Sequence, residues 1–264
     1  MSVRTKIDGP VAMVIIDRVE AHNALNEGII RQIGEAIDGV ARSSARALVF
    51  IGAGQKAFCA GADVKDIEGR NATARRAVIA FGQTTFAKLD RLTIPSIAVI
   101  HGLALGGGLE LAMACTYRVA TPTARMGLPE IKLGLIPGYG GTQRLPRLVG
   151  AAKAMELLMS GRIIDAAEAD RIGLLNAVIA GDNPEQIGRE FAGRFVDMGR
   201  NATALVLEAV DAATHTSLSE GLEVETELVS RALASHEAAE GMAAFLEKRP
   251  PRFHPDDAMR SAVS

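Results

Sequence analysis

The chain contains no tryptophan and only two tyrosines in 264 residues. Aromatic rings build the stacking surfaces that hold bases and sugars, so their scarcity disfavours both kinds of site. Lys plus Arg total 29 and Asp plus Glu total 31, which gives a formal net charge of −2. A nearly neutral chain has no general attraction to nucleic acid or to anionic lipid. Any anionic ligand must therefore be held by local contacts.

Cysteine is also scarce, since Cys59 and Cys115 are the only two. Two cysteines are too few for a disulfide framework, and no CxxC spacing typical of a zinc site is present. No apolar run reaches the roughly 18 residues of a membrane span, and the first residues lack the apolar region of a secretion signal. We therefore expect no metal site, no membrane partner and a cytoplasmic location.

Strand and helix patterns alternate along the first half of the chain. Short β-branched or apolar runs predict strands at residues 11–16, 47–51, 96–100 and 117–120. Apolar residues at helical spacing predict helices at residues 27–41, 74–92 and 109–114. This alternation predicts an α/β fold, although by itself it fits a doubly wound sheet as well as other arrangements.

Residues 121–150 are rich in glycine and proline and show no regular pattern. A structureless segment of this length inside a domain usually has a function. Further elements are expected beyond it, namely a helix at 153–159, a helix capped by Asp165, and a strand at 176–179.

Strand patterns end near residue 181, and residues 184–247 consist almost entirely of helix-forming residues. Leu218, Leu222, Val229 and Leu233 give this region an apolar face, which we expect to pack on the chain itself or on a neighbouring copy. We predict a core with the active site at residues 1–195 and a helical oligomerisation region at 196–264.

Three glycine clusters invite a phosphate-binding interpretation, and none has the spacing of a P-loop or of a dinucleotide-binding motif. Gly106-Gly107-Gly108 nevertheless lies between a predicted strand and a predicted helix, where bare N–H groups suit a carbonyl oxygen that gains negative charge. Residues 59–63 form a second such loop, and two convergent N–H groups make an oxyanion hole. The alternative is that the glycines only form turns.

Glu110 and Glu130 each stand at the start of a predicted helix or turn, 20 residues apart. Stabilisation of the helix dipole explains either one alone. As a pair beside two oxyanion loops, they are expected to project into one cleft, where burial and mutual repulsion divide acid and base roles between them. The five histidines lack a neighbouring nucleophile and are interpreted as structural or surface residues.

Five stretches of the chain follow the order of motifs in one family. They are residues 23–26, 56–64, 101–112, 128–145 and 240–249. Together they resemble the enoyl-CoA hydratase/isomerase, or crotonase, superfamily over nearly the whole chain. The resemblance implies a spiral of strand-strand-helix units with a helical C-terminal region used in trimerisation, commonly in hexamers built from two trimers.

The resemblance also implies a reaction, the addition of water across the double bond of a 2-enoyl coenzyme A thioester. Ala62 and Gly107 would donate their backbone N–H groups to the thioester oxygen. Glu110 would position and deprotonate the water, and Glu130 would exchange the proton at the α-carbon. No cofactor beyond the coenzyme A portion of the substrate is implied.

For the coenzyme A arm, the resemblance points to a further set of residues. These are Ala24, Ala60, Asp63, Val64, Lys65 and Lys248, the last near the phosphates and potentially supplied by an adjacent subunit. Solvated surface charge is the alternative interpretation of both lysines. Thr116 stands where the family usually has an acidic residue, and Met126 where phenylalanine is common, so altered packing near Glu130 and altered acyl selectivity are expected.

Isomerisation of the double bond and dehydration of a specialised hydroxyacyl thioester are the alternatives within the same superfamily. Members with other reactions often keep only one of the two glutamates, so the presence of both favours hydration. An RNA-binding role is disfavoured by the charge of −2 and the absence of tryptophan. The length and branching of the acyl chain stay open.

Overall fold

The computed structural model describes residues 2–63, 66 and 68–253. Within these residues the β-strands belong to two sheets. The strands are β1 (Val3–Asp8), β2 (Val11–Ile16), β3 (Ala47–Gly52), β4 (Ala57–Cys59), β5 (Ser96–Ile100), β6 (Leu103–Leu105), β7 (Tyr117–Ala120), β8 (Arg125–Gly127), β9 (Ile164–Asp165) and β10 (Ala177–Val178).

The α-helices lie between and after the strands. They are α1 (Glu27–Ala41), α2 (Ala72–Asp90), α3 (Gly107–Ala114), α4 (Gly141–Val149), α5 (Ala151–Ser160), α6 (Ala166–Arg171), α7 (Pro184–Ala192), α8 (Arg200–Ala213), α9 (Leu218–Leu233) and α10 (His236–Glu247). Short 3-10 helices cover Val19–Ala21 and Pro129–Leu133. None of the described helices combines the length and apolar character that crossing a membrane requires.

The larger sheet has the strand order β1-β2-β3-β5-β7-β10 and is parallel except for the β1–β2 pair. Its central strands are buried along their whole length because helices cover both faces. On one face Val49 and Val99 pack with Phe191 of α7. On the other face Phe50 packs in the main core with α1 and α2.

The smaller sheet has the order β4-β6-β8-β9 and is built from very short strands. Strands β4, β6 and β8 of this sheet directly follow strands β3, β5 and β7 of the larger sheet, respectively. The chain therefore alternates between the two sheets. Helix α2 follows β4, and helix α3 follows β6. These are the strand-strand-helix units that the resemblance implies, and the α/β expectation is confirmed.

The predicted strands at 11–16, 47–51, 96–100 and 117–120 are present, and helix α1 has the predicted bounds. The sequence patterns predict no strand between residues 52 and 63 or between 101 and 108, but each stretch contains a strand of three residues, β4 and β6 respectively. Three residues are too few to show an alternating pattern, and these strands form only where their partners align them.

The segment at 121–150 is more regular than predicted. It contains strand β8, a 3-10 helix at Pro129–Leu133, and helix α4. Glycine at the start of α4 and Pro146 inside it conceal the helical pattern, since both residues disfavour a helix interior. Proline is tolerated here because α4 is short and packed against its neighbours α3 and α5.

The C-terminal region is helical, as predicted, but none of the residues that the structure describes covers its apolar face. Leu218, Leu222, Val229 and Leu233 of α9 are all at least half exposed. Among the described residues of α9, Leu228 alone is buried. The division into regions 1–195 and 196–264 remains a prediction.

Helix α3 approaches the strand β4 very closely, and glycine permits this approach. A Cβ atom at Gly108 would overlap the carbonyl oxygen of Cys59 and lie 2.7 Å from the Cys59 Cβ. The whole of α3 is buried, so the surrounding core offers little room for adjustment. The position of α3 therefore depends on the absence of a side chain at residue 108.

We predict that Gly108→Ala lowers the free energy of unfolding by about 3 kcal/mol, because the added methyl group overlaps backbone atoms in a packed core. Gly39→Ala in α1 is the matched control, since a Cβ atom there meets nothing within 4 Å. Alanine at an exposed helix position should raise stability by up to about 1 kcal/mol. Urea unfolding of the two variants checks both signs, and equal stability would contradict the packing argument.

Candidate active site

A cavity of about 310 Å³ opens at the N-terminus of helix α3. Its polar groups come from the loop before α2, from Arg75 in α2, from the start of α3 and from the 3-10 helix at Pro129–Leu133. Its apolar wall comes from α2 and from residues 133–139. The lining residues from the predicted oxyanion loops and the predicted glutamate pair are Ala60, Gly61, Ala62, Gly106, Gly107, Glu110 and Glu130.

Glu110 lies in the first turn of α3 with only 1% of its surface exposed. Its Oε1 atom accepts hydrogen bonds from the backbone N–H groups of Tyr139 and Gly141, both at 2.7 Å. Burial raises the pKa of Glu110 to about 7, and the two N–H groups oppose that shift without cancelling it. The carboxyl group can therefore hold or release a proton near neutral pH.

Glu130 is half-buried in the 3-10 helix that follows strand β8. Burial raises its pKa above the usual range of a glutamate. Its Oε2 atom is buried and has no hydrogen-bond partner in the described part of the chain. The negative charge of Glu130 also raises the pKa of Glu110, so the two carboxyl groups are close enough to interact.

The expected backbone donors lie at the same cavity. A parallel β-bridge joins Ala62 to Leu25. Its two hydrogen bonds use the carbonyl of Gly61 and the N–H of Asp63, the residues on either side of Ala62. The N–H of Ala62 itself therefore points away from Leu25. Gly107 is the first residue of α3, where an N–H group has no acceptor within the helix. The structure therefore brings together both predicted donors, Ala62 and Gly107, and both predicted glutamates.

Two glycines keep these loops close to each other. A Cβ atom at Gly61 would lie 2.9 Å from the carbonyl oxygen of Leu105 and 3.6 Å from the nitrogen of Gly107. A Cβ atom at Gly106 would lie 2.9 Å from the Oε1 atom of Glu130. Both glycines also have positive φ angles, which other residues rarely adopt.

The residues predicted for the coenzyme A arm are placed in several ways. Ala60 lines the cavity. Asp63 lies beside it in an ion pair with Arg18 at 2.8 Å, and the same Arg18 Nη1 atom donates to the carbonyl of Ala24 at 3.3 Å. This arrangement ties the Ala24 and Asp63 segments together. The predicted residues Val64 and Lys65 lie outside the described residues.

Lys248 lies at the C-terminal end of α10, with a φ angle of 54° and an exposed side chain. It does not line the cavity of the same chain.

His101 and the two cysteines do not line the cavity. His101 is buried with its Nε2 atom 3.1 Å from the carbonyl oxygen of Gly54, and burial lowers its pKa. Burial raises the pKa of both Cys59 and Cys115 to about 12, so neither is a thiolate at neutral pH. Within the described residues, no cluster of three or more His, Cys, Asp or Glu side chains could hold a metal ion.

The two departures from the family pattern have structural partners away from the cavity. Thr116 and Ser96 exchange backbone-to-side-chain hydrogen bonds, from Ser96 N at 3.1 Å and from Thr116 N at 2.9 Å. Met126 is fully buried in the main core. Neither residue lines the cavity, so the structure gives no direct contact through which they would change acyl selectivity.

The apolar wall was not identified from the sequence. It consists of Val78 and Ile79 from α2, together with Leu133, Leu135, Ile136 and Tyr139. Helical spacing shows that α2 has an apolar face, but not that this face meets a segment 60 residues later. Leu135 and Ile136 are more than 45% exposed, a sign of a ligand-binding wall that only the structure provides.

A family model described as enoyl-CoA hydratase/isomerase matches residues 6–256. The chain is 42% identical to a probable enoyl-CoA hydratase of Mycobacterium bovis, over 93% of this chain and 95% of that protein. It is 40% identical to the crotonyl-CoA hydratase of Syntrophomonas wolfei, over 92% of this chain and 94% of that one. It is 37% identical to the short-chain-enoyl-CoA hydratase of Clostridium acetobutylicum, over 92% and 93%.

Solved structures agree with these relatives. The enoyl-CoA hydratase of Bacillus anthracis superimposes with a TM-score of 0.91 at 35% identity, covering 96% of this chain and 99% of that one. The enoyl-CoA hydratase of Mycobacterium smegmatis gives a TM-score of 0.91 at 30% identity, with 96% and 99% covered. By fold, by sequence and by the residues at its cavity, this chain belongs to the enoyl-CoA hydratase/isomerase family.

Proposed function

We propose that this enzyme adds water reversibly across the double bond of 2-enoyl-CoA thioesters and forms 3-hydroxyacyl-CoA. The observation that supports this reaction best is the pair of carboxyl groups, buried Glu110 and half-buried Glu130, at one cavity that is also lined by Ala62 and Gly107. Relatives named as enoyl-CoA and crotonyl-CoA hydratases are consistent with it.

The proposed oxyanion hole consists of the N–H groups of Ala62 and Gly107. When water attacks the β-carbon, the electrons of the double bond move through the α-carbon to the thioester oxygen, which becomes an enolate. Hydrogen bonds from the two N–H groups and the positive end of the α3 dipole stabilise that charge. Because these groups are part of the backbone, they need no rearrangement during the reaction.

The proposed acid and base are the two glutamates. The Glu110 carboxylate accepts a proton from the water as the oxygen bonds to the β-carbon. The protonated carboxyl group of Glu130 then donates its proton to the α-carbon, and the enolate returns to a thioester. One water is added in total, and proton exchange with solvent restores both carboxyl groups.

The raised pKa values support acid-base roles for both carboxyl groups. Burial raises the pKa of each above the usual range of a glutamate, and Glu110, with a pKa of about 7, is a stronger base than a free glutamate. The pair titrates as a coupled unit, so its two apparent pKa values belong to both residues. We assign the base role to Glu110 because its Oε1 atom is fixed by two N–H groups.

We further propose that the C-terminal helices assemble the enzyme into trimers, alone or in pairs. The exposed apolar side chains of α9 and α10 support this, since Leu218, Phe245 and Leu246 are each about 80% exposed. Large apolar side chains at this exposure are typical of a protein interface. Coenzyme A would enter as part of the substrate, and no separate cofactor is required by these steps.

We predict that Glu110→Gln and Glu130→Gln each lower kcat for hydration of crotonyl-CoA by roughly 10² to 10⁴, the usual contribution of a general acid or base. Glu35→Gln on the exposed face of α1 is the control and should keep wild-type activity. Loss of absorbance of the enoyl thioester measures the rate. Full activity in either active-site variant would contradict its role.

Product analysis distinguishes hydration from isomerisation. With a 3-enoyl-CoA substrate, an isomerase should keep substantial activity after loss of one glutamate, because moving one proton needs only one acid-base group. A hydratase should lose its activity on crotonyl-CoA in both the Glu110→Gln and the Glu130→Gln variant. Conversion of the 3-enoyl substrate by the wild-type enzyme, with crotonyl-CoA inert, would assign the isomerase reaction instead.

The pKa of Glu110 also predicts a dependence of stability on pH. Its value of about 7 exceeds that of an unfolded glutamate, so the folded state retains the proton longer and loses stability as pH rises from about 4.5 to 7. Glu110→Gln removes this penalty and can still accept both N–H groups. Its free energy of unfolding relative to wild type should therefore rise by on the order of 3 kcal/mol across that range.

Urea unfolding at pH values below 4.5 and above 7 provides the measurement. The difference between Glu110→Gln and wild type should be small in acid and large at neutral pH, whereas Glu35→Gln should show no such trend. A difference that is constant with pH would show that Glu110 has an ordinary pKa in the folded enzyme.

A further inference from the structure

We propose that the ring of Tyr139 closes the acyl end of the cavity and limits the enzyme to short acyl chains. This inference rests on the proposed function, because it assigns part of the cavity to the acyl group of an acyl-CoA thioester. It adds a residue that determines specificity to the residues that perform the reaction.

Apolar side chains line part of the cavity and suit an aliphatic chain. They include Val78 and Ile79 of α2 together with Leu135 and Ile136, while Arg70 and Arg75 add charged groups to the lining. Burial of aliphatic groups against such apolar side chains is favourable by about 0.8 kcal/mol for each methylene group, which corresponds to about fourfold in affinity. The total volume of about 310 Å³ lies at the small end of the range for ligand pockets.

Tyr139 lines the same cavity, and its ring occupies space that two glycines leave open. A Cβ atom at Gly82 of α2 would overlap the ring, and a Cβ atom at Gly107 of α3 would lie 3.1 Å from its Cδ2 atom. The ring thus fills the gap between α2 and α3. It lines the cavity on one side and is only 7% exposed.

Behind the ring the structure is solid core. Phe86 meets Tyr139 edge to face, with ring centroids 5.6 Å apart and planes at 73°. Phe86 is itself fully buried. The Tyr139 hydroxyl stays protonated because burial raises its pKa to about 12, so the ring presents a neutral surface to the cavity. The tyrosine ring therefore separates the cavity from the packed core and occupies the space between α2 and α3.

The backbone contacts of Tyr139 do not depend on its side chain, so the ring can be substituted separately. Its N–H group donates to Glu110, and Gln83 of α2 donates to the carbonyl of the adjacent Gly138 at 2.9 Å. These contacts do not involve the ring and remain in a side-chain variant. Tyr139→Ala therefore opens the space while the hydrogen bonds to Glu110 remain, and Tyr139→Phe keeps the ring as the matched control.

The experiment measures binding of saturated acyl thioesters, which cannot react. Dissociation constants for butyryl-, hexanoyl-, octanoyl- and dodecanoyl-CoA are determined for wild type, Tyr139→Phe and Tyr139→Ala. In the first two proteins affinity should stop rising, or fall, beyond the shorter chains. In Tyr139→Ala each added methylene that enters the new space should improve affinity about fourfold, so octanoyl-CoA should gain more than tenfold over wild type.

Kinetics on the matching 2-enoyl thioesters separates specificity from loosened positioning of Glu110. Loosened positioning lowers kcat by the same factor at every chain length, including crotonyl-CoA. A specificity role changes the ratio of kcat/KM between long and short substrates. The same dependence on chain length in Tyr139→Ala and wild type, in both binding and kinetics, would overturn the proposal.

Two further outcomes are informative. If Tyr139→Ala does not fold, Tyr139→Leu is the substitute variant, because leucine fills only part of the space of the ring. It should move the chain length at which affinity stops rising by fewer methylene groups. An unchanged chain-length limit in Tyr139→Leu would equally overturn the inference. If wild type hydrates no enoyl thioester while Tyr139→Ala still binds longer acyl chains more tightly, the proposed function fails and the assignment of Tyr139 stands.

Discussion

The structure of the site depends on one buried carboxyl group and the two backbone N–H groups that hold it. Glu110 is nearly inaccessible to water, and the N–H groups of Tyr139 and Gly141 fix its Oε1 atom. These bonds connect helix α3 to a segment about 30 residues later in the chain. Without them, a carboxyl group in this position would lose much of its hydrogen bonding on burial, so the loop and the glutamate require each other.

Close packing of glycines brings the other groups to the same point. Gly108 lets α3 touch strand β4, Gly61 lets the Ala62 loop approach Gly107, and Gly106 leaves room for Glu130. Because glycine has no side chain, backbone atoms meet directly at these contacts, and backbone N–H groups remain at the cavity surface. The absence of a side chain at Gly82 likewise leaves space for the ring of Tyr139.

Much of the fold followed from the sequence because buried parallel strands have a continuous apolar pattern and helix α1 has a clear amphipathic period. The glutamate pair and both glycine loops could also be proposed from the sequence, since each glutamate stands at a helix start within a glycine-rich segment. Strands β4 and β6 and helix α4 were missed because their local patterns are too short or contain proline. Their partners in space define them.

The sequence alone determined the family, the order of the strand and helix units, and the residue types available for acid-base chemistry, because these depend on local pattern and on motifs along the chain. Tertiary structure decided which groups meet. It raised the pKa of Glu110 to about 7 through burial, left Leu218 and Phe245 exposed, and placed Tyr139 between α2 and α3. Burial and contact between distant segments are properties of the packed chain, so they emerge only when the sheets and helices are assembled.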